Sequence, residues 1–253
     1  MNTTTVSMLD AVRPQGATVE IVVPVYNEEA ILEARLVPVL KGLPPGFGVR
    51  VMENGSTDGT RPILEGLKGG FPRLVVVNLP SPNYGRAMKE GLEGSPADIL
   101  IVDDLDVLDS DFWVRGLGML RRGGVDIVQG SKILAGRDDR RPFVRRAATR
   151  VLTGLLRMLT GFRGTDTHGP KVMLREKVAP VMERCSIELD LYPSELMIRA
   201  QRAGLRIAEI PIHLSEIRTT PLSLWRRVPR ALRDLLKLRA ALGRNGAPGP
   251  DAP

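Results

Sequence analysis

The chain of 253 residues is 43% hydrophobic and 26% charged, a balance that excludes global disorder and fibrous repeats and leaves apolar material for a sizeable core. Its formal net charge of +7 is unevenly laid out: residues 1–120 carry 10 Lys/Arg against 16 Asp/Glu, whereas residues 121–253 carry 26 against 13. A basic surface attracts phosphates of any kind, but with 4% aromatic residues and no nucleic-acid motif a nucleic acid partner is not expected.

Residues 1–17 are expected to be a flexible N-terminus, without the basic-then-apolar order of a signal peptide. Val19 to Val25 (VEIVVPV) is an apolar, β-branched run suited to a strand buried on both faces of a parallel sheet. A helical pattern over Glu28 to Leu40 follows. Val49 to Met52, Leu74 to Val77 and Ile99 to Val102 are further predicted strands, with helical stretches around Arg61 to Leu67 and Tyr84 to Leu92 between them. This alternation implies right-handed crossovers and an α/β layered, mostly parallel sheet. Asp126 to Gly130 is one more predicted strand, and the charged residues 135–146 are predicted as a surface loop. Helices are predicted over Thr149 to Phe162 and Glu195 to Arg202, the second closed by Gly204 before a strand at Ile207 to Ile210. Residues 221–242 read as a basic amphipathic helix, and the Gly/Pro/Ala-rich residues 243–253 as a disordered tail. Nothing approaches the roughly 18–20 apolar residues of a spanning helix. The lone Cys185 excludes a disulfide framework and a cysteine-based zinc cluster, which points to a reducing, cytoplasmic setting.

Ligands of such sheets bind beyond the carboxyl ends of the strands, so the polar segments after the apolar runs carry the chemical interest. After the fourth predicted strand come Asp103, Asp104, Asp106, Asp109 and Asp111. Carboxylates gathered at a strand end need a compensating cation, and the alternate pair Asp104 and Asp106 can face one magnesium or manganese ion that completes its shell with water and substrate phosphates. A solvated turn with Asp109 capping the next helix is the simpler alternative. After the second strand, Glu53-Asn54-Gly55-Ser56-Thr57-Asp58-Gly59-Thr60 supplies a tight turn, helix-capping hydroxyls and, in Glu53, an acceptor for a base or ribose. After the first, Pro24-Val25-Tyr26-Asn27-Glu28-Glu29 places a turn at the same sheet edge, with acidic residues suited to a helix start.

Taken together, these motifs resemble those of family 2 glycosyltransferases with the GT-A fold, in particular the dolichyl-phosphate-mannose synthase-like branch. The likeness rests on PVYNEE at 24–29, ENGSTDGT at 53–60, PNYGRAMKEGL at 82–92 with Gly85 and Arg86, and Asp104-Leu105-Asp106 for the family's aspartate-x-aspartate motif. It continues through Gly130-Ser131-Lys132, TDTHGPK at 165–171, the helix at Glu195-Leu196, and EIPI at 209–212 with Arg218 beyond. Where the family usually reads Asp-Asp-Gly-Ser, this chain has Glu53-Asn54-Gly55-Ser56; Pro170 stands where an aromatic residue is frequent.

The resemblance implies a GT-A domain over 18–220. In it the turn after the first strand, with Pro24, Tyr26, Asn27 and Glu28, and Glu53 would hold the base and ribose, Asp104 and Asp106 would hold the metal and diphosphate, and Asn54, Ser56, Asp58, Gly85, Arg86, Lys132, Arg145 and Arg218 would be further substrate-binding residues. The 165–171 loop would line the sugar and acceptor site, with Asp166 on sugar hydroxyls, His168 in the loop and Lys171 on a phosphate or carboxylate. Asp106, Asp166 and Asp190 are the candidate catalytic carboxylates, with Glu188 and Glu195 as further candidates for a base. A phosphate acceptor, already an anion, needs no base, whereas a hydroxyl acceptor does.

The basic half then fits an acceptor phosphate, gripped by Arg137 to Arg150, and peripheral contact with an anionic membrane through the 221–242 helix. That helix could equally pack on the domain core or on a second subunit of a homo-oligomer. Three readings stand at this stage. The first is inverting, metal-dependent transfer of a hexose from a nucleoside-diphosphate sugar (GDP-mannose or UDP-glucose type) to a polyprenyl or dolichyl phosphate. The second is transfer to a soluble hydroxyl acceptor. The third is a non-catalytic sugar-nucleotide-binding or scaffold protein.

Overall fold

A computed structural model of the protein describes residues 3–134, 143–188, 190–212 and 236–243. Among them seven strands form one sheet: β1 (Val19–Val25), β2 (Phe47–Glu53), β3 (Leu74–Asn78), β4 (Ile99–Val102), β5 (Ile127–Ser131), β6 (Lys171–Leu174) and β7 (Ile207–Pro211), in the order β3-β2-β1-β4-β6-β5-β7. The β3-β2-β1-β4 half is parallel throughout. β6 runs antiparallel to both β4 and β5, and β7 joins β5 in parallel.

The helices are α1 (Thr3–Val12), α2 (Leu32–Gly42), α3 (Thr60–Lys68), α4 (Tyr84–Glu93), α5 (Ser110–Arg122), α6 (Phe143–Thr160), α7 (Arg175–Met182) and α8 (Tyr192–Arg202). They cover both faces of the sheet, which explains why all seven residues of β1 are buried and why its sequence lacks polar alternation. The period of two still divides the work. Ile21, Val23, Val25, Ile99 and Ile101 pack with Leu9 of α1, Leu36 of α2 and Trp113 of α5 on one face. Val22, Met52, Leu100, Val102 and Met173 pack with Met88 of α4, Val178 of α7 and Leu196 of α8 on the other. Each fully buried aliphatic side chain stabilises by about 1.5–3 kcal/mol.

Several boundaries differ from expectation. Residues 3–12, expected to be flexible, form α1: Leu9 is fully buried against α5, and Arg121 donates to the Ala11 carbonyl. Three threonines at its start mask an apolar face of only a few residues. The second helix begins at Leu32 rather than Glu28, because residues 26–31 are held in a turn by side chains from the neighbouring segment. Part of the predicted 135–146 loop is helical, since α6 already begins at Phe143; residues 135–142 lie outside the described residues. Of the predicted 221–242 helix only its end is described. There Leu238 and Leu242 are buried in the second core, Arg199 donates to the Ala241 carbonyl and Arg202 to the Leu242 carbonyl, while Leu236 is exposed. These last turns dock on the domain. Residues 213–235 and nearly all of the predicted tail, 244–253, lie outside the described residues.

Candidate active site

The carboxyl ends of β1, β2 and β4 open on a cleft of about 510 Å³. Its walls are Pro24 to Tyr26 and Glu28 after β1, Asn54 after β2, Pro82 to Tyr84 at the start of α4, Asp104 to Asp106 after β4, and Asp190 before α8.

The turns after β1 and β2 are stitched to each other. Asn27, at φ +53, accepts from the Thr57 N–H at 2.8 Å, and its own N–H donates to Ser56 Oγ at 3.0 Å. Glu28 N–H donates to Thr60 Oγ1, Asp58 accepts from the N–H groups of Glu29 and Thr60, and Glu29 accepts from Gly59 N–H. Asn27, Ser56 and Asp58, expected as substrate-binding residues, therefore act first as ties between the two turns. Gly55, at φ +70, sits against the backbone of Ser81 and Pro82, where a Cβ would lie 2.9 Å from Ser81 Cα. A side chain there would force apart the β2 turn and the segment leading into α4.

Glu53 departs from its expected role. It is fully buried, with Oε1 accepting from Ser56 N–H at 2.5 Å and Oε2 from Arg61 at 2.7 and 3.0 Å. Burial works to raise its pKa, but the Ser56 bond and the Arg61 guanidinium outweigh it and hold the carboxyl below its ordinary value. Both oxygens are occupied in shaping the turn, and Asn54 rather than Glu53 reaches the cleft.

The acidic turn after β4 separates residues that composition cannot. Asp103 is buried, accepting from Trp113 Nε1 at 2.8 Å, Asp109 N–H at 2.9 Å and Asp104 N–H at 2.9 Å. Burial, with the Asp104 charge beside it, pushes its carboxyl well above the ordinary range. Asp109 caps α5 by accepting from Phe112 N–H. Asp104 and Asp106 are left facing the cleft, and burial together with the Asp104 charge raises Asp106, while Lys132 and Arg35 act in the opposite sense. Tyr84 Oη donates to Asp104 Oδ1 at 3.1 Å, and Arg35 from α2 clamps the turn through the carbonyls of Leu105, Asp106 and Val107. Among the described residues no three His, Cys, Asp or Glu side chains form a metal cage. Two carboxylates in an open cleft fit a hard divalent ion that keeps waters and takes phosphate oxygens.

The loop after α6 is likewise tied to its surroundings. Asp166 accepts from Lys132 N–H at 3.1 Å on one oxygen and from His168 N–H at 2.9 Å on the other. It orders the loop rather than presenting a free base. Glu209 binds Thr165 through its N–H and hydroxyl. His168 Nε2 is bonded to the Asp190 carbonyl and Nδ1 to the Thr167 hydroxyl, and burial lowers its pKa. Gly169 lies against the Gly130 carbonyl so closely that no Cβ fits between them. Lys171, expected on a phosphate, is fully buried in β6 and donates to the Gly169 carbonyl at 2.8 Å; burial lowers its pKa to about 8 against the pull of Asp166 and Asp104. It is a counter-charge beneath the acidic site, out of reach of a soluble phosphate.

Glu195, a candidate base, is fully buried and taken by Ser186 and Ile187 N–H groups and by Arg199. Glu188 is exposed and does not line the cleft. Arg86 pairs along α4 with Glu90 at 2.6 Å, and Gly85 is buried in the first turn of that helix. The side chain of Arg145 and the whole of Arg218 lie outside the described residues. Pro24, Tyr26, Glu28, Asn54, Asp104, Asp106 and Asp190 are thus the expected residues that the fold brings together. Tyr84, Asn83 and Arg35 were not singled out in the sequence. The first two stand inside the PNYGRAMKEGL motif, but nothing local to Arg35 marks its contact some seventy residues away.

A mostly parallel sheet whose fourth strand ends in an aspartate pair facing the cleft, beside the turns of β1 and β2, defines the GT-A class of glycosyltransferases. The chain belongs to the glycosyl transferase family 2, whose profile matches residues 20–180. An uncharacterized glycosyltransferase of Mycobacterium tuberculosis is 32% identical over 201 residues, 78% of this chain and 85% of that protein. The glycosyltransferase AglD of Haloferax volcanii is 28% identical over 78% of this chain, which spans only 33% of its length. The undecaprenyl-phosphate 4-deoxy-4-formamido-L-arabinose transferase of Yersinia pestis is 25% identical over 78% of this chain and 60% of its own. Among solved structures, the glucosyl-3-phosphoglycerate synthase of M. tuberculosis bound to Mn2+, UDP and glucosyl-3-phosphoglycerate superposes with a TM-score of 0.65 over 97% of this chain and 85% of that one. At 23% identity that likeness is one of fold.

Proposed function

We propose that the protein is a metal-dependent, inverting glycosyltransferase that moves a hexose from a nucleoside-diphosphate sugar to a polyprenyl phosphate, working peripherally at the cytoplasmic membrane face. The observation that carries the reading is the division of the acidic turn: Asp103 and Asp109 are consumed by the fold, while Asp104 and Asp106 face the cleft. Asp104 and Asp106 would hold magnesium or manganese, which neutralises charge on the diphosphate leaving group. Tyr84 and Arg35 fix the pair in place, Tyr26 and Pro24 offer a flat surface to the nucleoside, and Lys171 offsets the acidic charge from below.

The acceptor side supports a phosphate. Asp166 and Glu195 are each tied through both oxygens to neighbouring N–H groups and do not line the cleft, so the described cleft holds few candidates for a general base, and an acceptor that is already an anion needs none. The Yersinia relative is named for an undecaprenyl-phosphate acceptor. No helix among the described residues is long and apolar enough to cross a membrane, so a lipid substrate would be reached from the surface, with the basic residues of 221–235 as anchor.

Asp190 favours a second reading. It lines the cleft and is exposed, so it could serve as base for a soluble hydroxyl acceptor. Radiolabelled donor sugar distinguishes the two. With Mn2+ and polyprenyl phosphate the label is expected in an organic-extractable, mild-acid-labile product; label found only in water-soluble saccharide would overturn the lipid assignment.

A further inference from the structure

Large apolar side chains left in water are not spread evenly over the domain. Val151 and Met158 of α6 are 63% and 73% exposed, and Leu236 in the last described turns is 62% exposed. Leu155, between the first two, is half-buried. Val151, Leu155 and Met158 stand at i, i+4 and i+7, so they form one stripe about 10 Å long on one side of the helix. Leu156 of α6 and Leu238 and Leu242 near the chain's end are buried in the same core cluster, and Arg202 joins the two elements by donating to the carbonyls of Thr160 and Leu242. The outcrops thus stand on neighbouring elements, on the sheet face opposite α1, α2 and α5.

The charge around them has one sign. Residues 143–163 contain five arginines and no carboxylate, and residues 236–243 add Lys237 and Arg239, again without one. Arg150 and Arg157, both exposed, each immediately precede an exposed member of the stripe. Successive helix residues are turned by about 100°, so each arginine rises beside the stripe rather than within it. A second copy docked face to face would set arginine against arginine, and a nucleic acid would leave the apolar tips unused. An anionic lipid surface suits both features, because apolar tips enter the acyl boundary while long basic side chains reach the headgroup phosphates.

The same helix holds one wall of the cleft. Arg157 donates through Nε and Nη2 to the carbonyls of Gly164 and Arg163, and Thr153 Oγ1 to that of Thr165 at 3.5 Å. These bonds tie α6 to the loop that runs on into Asp166 and His168. Resting on the lipid-phosphate reading above, we propose that the outer face of α6 is a membrane-docking surface of the catalytic domain, with Val151 and Met158 in the acyl boundary and Arg150 beside lipid phosphates. Docked in this way, α6 sets the β6 side of the cleft at headgroup level, where a polyprenyl phosphate presents its charge.

The test is co-sedimentation of the full chain with vesicles of phosphatidylglycerol and phosphatidylcholine, beside vesicles of phosphatidylcholine alone, with light scattering and melting temperatures recorded for each protein. Wild type is expected to bind the anionic vesicles about tenfold more tightly than the neutral ones, or more, and to weaken as salt rises. V151D/M158D is expected to lose about tenfold or more on the anionic vesicles and R150Q about fivefold, both melting as wild type does. M8D, which puts the same charge at an exposed methionine of α1, is expected to bind as wild type does. V151D/M158D binding as tightly as wild type overturns the proposal and leaves 221–235 as the anchor. Loss of a dimer in V151D/M158D, or a lowered melting temperature, also overturns it, because a second copy or chain from residues 213–235 would then cover the face. Wild type binding neither kind of vesicle would overturn the peripheral membrane reading on which the proposal stands.

Discussion

On the β1–β4 side of the cleft, Glu29, Glu53, Asp58 and Asp103 give their oxygens to backbone N–H groups of the turns that frame the site, with Arg61 and Trp113 completing two of the sets. On the β6 side the same work is shared between carboxylates, Asp166 and Glu209, and a buried cation, Lys171, enters from a strand running against its neighbours. The first arrangement concentrates negative charge and leaves two carboxylates unspent at the cleft. The second lines its loop with carbonyls and a counter-charge, leaving Asp190 alone at the rim. In a crowded acidic region, what marks a residue for chemistry is a carboxylate that faces the cleft instead of being drawn into the turns behind it, rather than acidity itself.

The sharpest way to break this contrast is to remove the unspent carboxylates. D104A or D106A should reduce transfer by about 10³-fold or more, because charge neutralisation of the leaving group is worth several kcal/mol, with circular dichroism unchanged; steady-state rates on each variant check it. E53A should do the reverse, costing about 1–3 kcal/mol in denaturant melts through the unpaired Ser56 N–H and the lost Arg61 contact, while nucleotide affinity in the surviving folded protein changes little. A large affinity loss at full stability would restore Glu53 to a ligand role.

Much of this division could be read in advance and some could not. β1 and β4 announce themselves as apolar runs, and the spacing of Asp104 and Asp106 at a strand end points to a shared ion. Asp103 could not be separated from them, because its partner Trp113 lies ten residues on in another element. Glu53 looked like a ligand because its cation, Arg61, reaches it across a helix start. β6 was missed altogether: four residues beginning with a buried lysine have no strand-like pattern, and the counter-charge that permits it comes from loops distant in sequence. α1 was missed because its core contact is centred on one buried leucine.

The Lys171 side of the comparison is tested by pH. Its pKa is about 8 in the fold against an ordinary 10.5, so between those values the unfolded chain binds the extra proton and folding stability rises with pH. The melting temperature of wild type should therefore climb relative to K171M from pH 8 to pH 10 and run parallel below pH 7. Parallel curves throughout would show that burial does not lower the Lys171 pKa in the fold. D190A should have the smallest effect, less than about tenfold on transfer to a lipid phosphate; a loss of 10²-fold or more on transfer to a soluble hydroxyl acceptor would assign it general-base work there.

The most direct test of the central claim is manganese binding followed by electron paramagnetic resonance in the presence of a nucleoside diphosphate. Wild type should bind one manganese ion, D104N/D106N should leave it free in solution, and E53Q should bind it as wild type does. Manganese held undiminished by D104N/D106N would contradict the assignment of the cleft.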